Sequence, residues 1–229
     1  MLESGYIGLT ILIFGLIFRG YLSWKQKTVG LNKVPQIILP IIVWTVYIMI
    51  LSFSGILRNL ELPPRFPLLL FLPFFILTSL FFFKYKDNAA FRHLPLKWTT
   101  LYQSFRILVE TLLLYTFYKG IIPKTATFEG YNFDILIGIS AIPIGLFLVN
   151  NIQKNKSLLL AWNIVGILMI LFVGFIIGTS FYAPFIWGSE TPTVSLEFVS
   201  FPYILIPGFL APSGIFMHVV SIIQIRNKT

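Results

Sequence analysis

This sequence predicts an all-α integral membrane helical bundle, and three observations carry that prediction. Hydrophobic side chains make up 57% of the 229 residues and charged ones only 11%, where a water-facing domain uses roughly a quarter. The mean hydropathy is +0.87. The apolar residues also gather into runs near the ~20 residues that a helix needs to cross ~30 Å of hydrocarbon.

Seven spans follow: Tyr6–Trp24, Pro35–Leu57, Pro67–Phe83, Trp98–Lys119, Ile135–Asn150, Ser157–Ser180 and Phe201–Ile225. The first is expected to stay as an anchor, because Glu3 precedes it and neither a basic n-region nor a small-residue cleavage pattern accompanies it. The third and fifth are the shortest. Loops are brief, the longest being Phe181–Ser200, so residues 1–229 form one domain with no separate soluble part. Phe181, Tyr182, Phe185 and Trp187 suit a segment lying in the outer interface.

Charge sets the orientation. The segments after the first, third, fifth and seventh spans hold twelve basic residues, from Arg19, Lys25, Lys27 and Lys33 to Arg226 and Lys228, against the single acid Asp87. The other side holds Arg58, Arg65, Lys119 and Lys124 against six acids, Glu3, Glu61, Glu129, Asp134, Glu190 and Glu197. Cytoplasmic loops collect Lys and Arg, so the N-terminus is expected outside and the C-terminus in the cytoplasm. The net charge of +9 then reflects topology, and nucleic acid is excluded as a partner.

Proline marks weak points in the helices. A proline inside a helix leaves the carbonyl four residues back without its donor, so Pro143, Pro207 and Pro212 free Ile139, Tyr203 and Gly208. Those acceptors need partners or water. They indicate either ordinary tolerated bends or a hinge.

The fourth span carries the most costly side chains. Thr99, Gln103, Arg106 and Glu110 recur at spacings of four, three and four, which puts them on one helical face. An ionised Arg or Glu near the bilayer centre costs several kcal/mol, so this face must turn inward, where Arg106 and Glu110 can pair one turn apart. At ~1.5 Å per residue, Gln103, Arg106, Asn163, His218 and Arg19 fall in one layer of the cytoplasmic half, with Glu110 deeper. Gln103, Arg106, Glu110, Asn163 and His218 are therefore the candidate binding residues. The alternative is structural glue between helices, and Arg19 can also snorkel to the interface.

A second candidate lies at the outer rim, where Thr127-Phe128-Glu129-Gly130-Tyr131-Asn132-Phe133-Asp134 leads into the fifth span. Glu129, Asn132 and Asp134 offer oxygen ligands to a cation or polar ligand there. Asn132 or Asp134 equally suits a helix cap.

The run Leu94-Pro95-Leu96-Lys97-Trp98-Thr99-Thr100-Leu101-Tyr102-Gln103-Ser104-Phe105-Arg106, continued to Glu110, resembles the centre of a family of small uncharacterised bacterial multi-pass membrane proteins. So do the Thr127–Asp134 motif, Leu62-Pro63-Pro64-Arg65, Leu160-Ala161-Trp162-Asn163 and the proline-rich last span ending in His218. The resemblance covers most of the chain. It implies the bacterial inner (cytoplasmic) membrane and supplies no activity.

Enzyme chemistry is disfavoured by counting. Two aspartates, Asp87 and Asp134, on opposite sides do not make a clustered magnesium site. Only Glu110 is deep, so no intramembrane carboxylate pair forms. A Ser140–His218 dyad fails on predicted depth, His93 lies in a loop and cannot complete a bis-histidine haem site, and no lysine in the last span offers a Schiff base. With zero cysteines, thiol chemistry and disulfides are also excluded. No cofactor and no metal is expected. A carrier- or receptor-like bundle with a buried polar site is the leading reading, against a structural or accessory subunit and a membrane-embedded enzyme on a lipid. Expected partners are membrane lipids, a small-molecule or ion ligand, and another membrane protein.

Overall fold

The structure, a computed structural model, describes residues 1–28, 35–85 and 94–227, except for the side chains of 21, 23–28, 35–38 and 85. Among the described residues there are seven helical rods and no strand. They are α1 (Leu2–Thr28), α2 (Pro35–Ser54), α3 (a wide π turn Pro67–Phe71 continuing as Leu72–Tyr85), and α4 (Leu96–Tyr102, a tight turn Gln103–Phe105, then Arg106–Tyr118). Next come α5 (Asp134–Pro143 with Ile144–Leu148 and Val149–Asn151), α6 (Ile152–Tyr182) and α7 (a π turn Ile206–Leu210 continuing as Ala211–Asn227).

Four helical stretches are long and apolar enough to cross a membrane: Leu2–Gly20, Pro67–Lys84, Asp134–Tyr182 and Ile206–Asn227. A shorter apolar run, Leu39–Ser54, lies in α2. The described residues are thus all-helical or in connecting turns, with helices whose length and composition suit membrane association. The 49 residues Asp134–Tyr182 are not one straight rod. Asn151, at φ −128° and ψ 78°, leaves the helical region, and its side chain accepts the Lys154 N–H to start α6. Asn155 Nδ2 then donates back to Leu148 O at 2.8 Å, so α5 and α6 form an antiparallel pair.

Successive rods run up and down. One end of the bundle joins the start of α1 to the end of α4 through Lys119 Nζ and Glu3 Oε1, 3.5 Å apart. At the same end Arg58, after α2, donates to Ser200, before α7, at 2.9 Å, and the Phe66 N–H donates to Tyr182 Oη at 3.2 Å. At the opposite end Gln224 Nε2, near the close of α7, donates to Leu94 O at 2.8 Å. Of the basic residues used for orientation, Lys33, Lys86, Arg92 and Lys228 lie outside the described residues, as do Asp87 and His93; the side chains of Lys25 and Lys27 are undescribed.

Two prolines explain how α2 is tied to the rest. Pro73 frees the carbonyl of Leu69 and Pro212 that of Gly208. Tyr47 Oη donates to Leu69 O and Trp44 Nε1 to Gly208 O, both at 2.8 Å. The acceptor expected at Gly208 has therefore found a donor one helix away. Gly208 also admits Ile48, whose side chain would stand 2.8 Å from an added Cβ, a close approach of the kind that replaces hydrophobic drive between helices in lipid.

The segment after α6 departs from the expected flat interfacial strip. Phe185 is exposed, but Val194, Phe198 and Val199 are buried in the main apolar cluster with Phe181. The Ser195 N–H donates to Ile121 O at 2.8 Å and the Thr193 N–H to Ser180 O at 3.1 Å. The segment plugs the end of the bundle, with Val194, Phe198 and Val199 packed against the rods.

Candidate functional site

Arg106 is the largest fully buried side chain, 1% exposed. Two features put it inside: it lies on the Thr99–Gln103–Arg106–Glu110 face of α4, and that face packs on α7. Its Nη1 donates to Asp134 Oδ1 at 2.9 Å and its Nη2 to Gly166 O at 3.0 Å. Its Nε is buried without a hydrogen-bond partner. The direct Arg106–Glu110 pair that their one-turn spacing allows does not form: the guanidinium reaches to other helices, in keeping with the less favourable Arg-before-Glu order within one helix, which leaves each free to take a partner elsewhere.

Glu110 pairs with Asn132 instead. Asn132 Nδ2 donates to the two carboxylate oxygens at 2.9 and 2.8 Å and to Ala126 O at 3.1 Å. Its Oδ1 accepts the Asp134 N–H at 3.0 Å, holding the first turn of α5. Capping and site are therefore the same residues. Arg106 and Glu110, one turn apart on α4, grip Asp134 and Asn132, two apart at the start of α5.

The predicted outer rim is corrected by this clamp. Glu129 stays exposed, near Lys124 Nζ at 3.6 Å and accepting from Tyr118 Oη at 3.3 Å, while Asn132 and Asp134 turn inward and are buried. The two candidate sites predicted at different depths merge. Depth counted along α5 assumed a helix that begins at the membrane surface, whereas the turn at 127–133 carries its first residue down to the level of Arg106.

The remaining members form the wall toward α7. Gln103 Nε2 donates to Gly214 O at 3.1 Å, and its Oε1 has no partner. Gly214 lacks a side chain where a Cβ would stand 3.6 Å from both Arg106 Nη2 and Gln103 Oε1. Asn163 Nδ2 donates to Leu159 O at 2.7 Å, so its Oδ1 is the acceptor that meets His218 Nδ1 at 2.8 Å. His218 then donates from Nδ1, and its bare Nε2 faces the Cα of Gly166, where an added Cβ would sit 2.2 Å away. Gly166 thus accepts from Arg106 and makes room for His218 at once. Arg19 is exposed and does not belong to the layer.

Ser140 and His218, separated by predicted depth, both touch Trp162: the indole N–H donates to Ser140 Oγ at 2.9 Å, and the imidazole meets the ring edge-on at 5.3 Å. Each has its own partner, so no Ser–His hydrogen bond forms. Below this, Ser221 Oγ donates to Thr99 Oγ1 at 2.9 Å, and Thr99 and Gln224 meet at 3.2 Å. That seam between α4 and α7 is buried. The spacing on α4 puts Thr99 on this face, while its partners Ser221 and Gln224, three apart on the last span, are set by how α7 packs on α4.

The side of the cluster away from that seam is open. A cavity of about 220 Å³ is lined by Arg106, Glu110 and Asp134 together with Phe66, Phe71, Phe74, Phe75, Phe105, Phe175 and Phe198, and with Gly174, Ile206 and Pro207. Its deep lining is buried, while Phe75, Leu171 and Phe175, where α3 and α6 face each other, are 36%, 40% and 52% exposed. Among the described residues no three His, Cys, Asp or Glu side chains converge on a metal-sized site. No protein-family model, no curated protein and no solved structure matches this chain.

Proposed function

We propose that this protein binds a lipid-soluble small molecule within the membrane, in a carrier- or receptor-like role, using the cavity between α3, α4, α6 and α7. One observation carries the reading: an apolar cavity meets buried Arg106, Glu110 and Asp134 on its wall. Polar groups placed only to hold helices together end in one another, as Thr99, Ser221 and Gln224 do. Here the Arg106 Nε has no partner and the clamp borders open volume. Ionisable groups inside a bilayer mark ligand paths by default. Exposure of Phe75, Leu171 and Phe175 supports entry from the lipid side, between α3 and α6.

The wider assignment belongs with this proposal. Seven membrane crossings, an outside N-terminus, a cytoplasmic C-terminus and the bacterial inner membrane are supported by the alternating rods and the basic excess on one side. The resemblance to small bacterial multi-pass proteins is of the same standing.

The test is saturable binding of n-decanol to the protein in lipid nanodiscs, read by tryptophan fluorescence, Trp44 lying 6.2 Å from Phe74 of the cavity lining. Gly174 lines the cavity with only Phe71 near an added Cβ, at 3.7 Å. Gly174→Leu should fill the space and abolish saturation while leaving the melting temperature within a few degrees. Binding that only rises linearly, as simple partition does, in wild type and variant alike assigns the clamp to a structural role.

A further inference from the structure

We infer that the head group this cavity takes is a cation, and that the cation enters in exchange for a proton on Glu110. The assignment rests on the cavity reading above and adds the charge of the ligand.

The charges around the cavity do not balance. Arg106 and Asp134 are 2.9 Å apart and neutralise each other. Glu110 is the remaining ionisable group, 1% exposed, and its partner is the neutral Asn132. That amide has two hydrogens for three acceptors, the two Glu110 oxygens and Ala126 O, so one carboxylate oxygen is short of a donor. A buried carboxylate without a countercharge costs several kcal/mol. The groups facing Glu110 are Arg106 on its own helix, Asp134 at the start of α5 and Asn132 before it; the residues that α3, α6 and α7 contribute to the cavity are apolar. His218 of α7 lies beyond Arg106, on Asn163. With the cavity empty, a proton is therefore the countercharge.

The rest of the lining suits a cation that replaces it. Seven phenylalanines border the space, and aromatic rings attract ammonium groups, more strongly once desolvated. An anionic head finds only the Nε–H of a guanidinium already neutralised by Asp134. The step balances without a redox partner: R–N(CH₃)₃⁺ plus Glu110–COOH gives the ion pair R–N(CH₃)₃⁺···⁻OOC–Glu110 and one proton released to water.

Three probes with one chain decide the matter: n-decyltrimethylammonium, n-decanol and n-decyl sulfate, titrated into the protein in nanodiscs of zwitterionic lipid. The ammonium should bind at least tenfold more tightly than the sulfate. In weakly buffered medium it should release close to one proton per molecule bound, and its affinity should rise about tenfold per pH unit while that proton is exchanged. Glu110→Gln should remove the pH dependence and the proton release and weaken the ammonium at least tenfold. Decanol and sulfate binding as tightly as the ammonium, or ammonium binding without proton release, overturns the inference and leaves the cavity reading standing. Absence of saturable binding by all three overturns both. The headgroup comparison and the proton count use the wild-type protein, so they hold even where the variant does not fold.

Discussion

Helices α7 and α3 are both apolar enough to cross a bilayer, yet 67% of the α7 window is buried within the protein and only 17% of the α3 window. Apolar content does not separate them. In lipid a leucine gains little by leaving acyl chains for protein, so polar side chains decide which helix goes to the centre. On α7, Ser213, His218, Ser221 and Gln224 each meet a partner on another element. On α3 no described polar side chain is buried, and the helix meets its neighbours through aromatic contacts, Phe74 with Trp44 of α2 and Phe81 and Phe82 with Phe216 of α7, and through the Tyr47 hydrogen bond to Leu69 O. The tightly held helix closes one side of the Arg106 clamp, and the loosely held one borders the cavity.

The largest test of that contrast separates the two ends of the clamp. Arg106→Gln leaves Asp134 buried without its countercharge and should cost about 3–5 kcal/mol, read as a loss of melting temperature in detergent. Glu110→Gln, on the cavity side, should cost less than about 1 kcal/mol, since its amide still reaches Asn132. A double-mutant cycle should give Arg106 a large coupling to Asp134 and a small one to Glu110; the reverse would restore the pairing expected from helix spacing.

Two glycines sharpen the comparison at smaller scale. Gly166→Ala drives a methyl into His218 and should destabilise by roughly 1–3 kcal/mol. Gly174→Ala, facing α3 with its nearest atoms at 3.7 Å, should stay within about 0.5 kcal/mol. The proline carbonyls give a matching pair: Trp44→Phe strands Gly208 O on buried α7 and should cost about 1–3 kcal/mol, while Tyr47→Phe strands Leu69 O on α3 and should cost less, since Leu69 is half-buried where Gly208 is buried. A Tyr47→Phe loss equal to that of Trp44→Phe would mean α3 is anchored as firmly as α7. At the bottom of the scale, Lys119→Ala removes an exposed 3.5 Å contact with Glu3 and should change the melt by no more than about 1 kcal/mol.

Much of the candidate site was legible, and its wiring was not. The four-three-four spacing put Gln103, Arg106 and Glu110 on a buried face, because helical periodicity is local. The proline rule located the free carbonyl of Gly208, but nothing near it in sequence names Trp44, 164 residues away. In the sequence Asn132 or Asp134 suits a helix cap or a polar ligand at the rim, and their contact with Glu110 and Arg106 is hidden because it needs the turn at 127–133 to fold inward. The exposed position of Arg19 likewise follows from how α1 is rotated against its neighbours, which a low-contrast apolar helix does not encode.

What the sequence determined alone is the material of the protein: helices throughout, long apolar stretches suited to lipid, and one face of α4 too polar to meet it. Each of these is set within one helix by side-chain type and a 3.6-residue period. The tertiary structure decided that Arg106 answers Asp134 and that Glu110 is left with an amide beside open space. Those outcomes depend on where the first turn of α5 comes to rest, and only packing between helices fixes it.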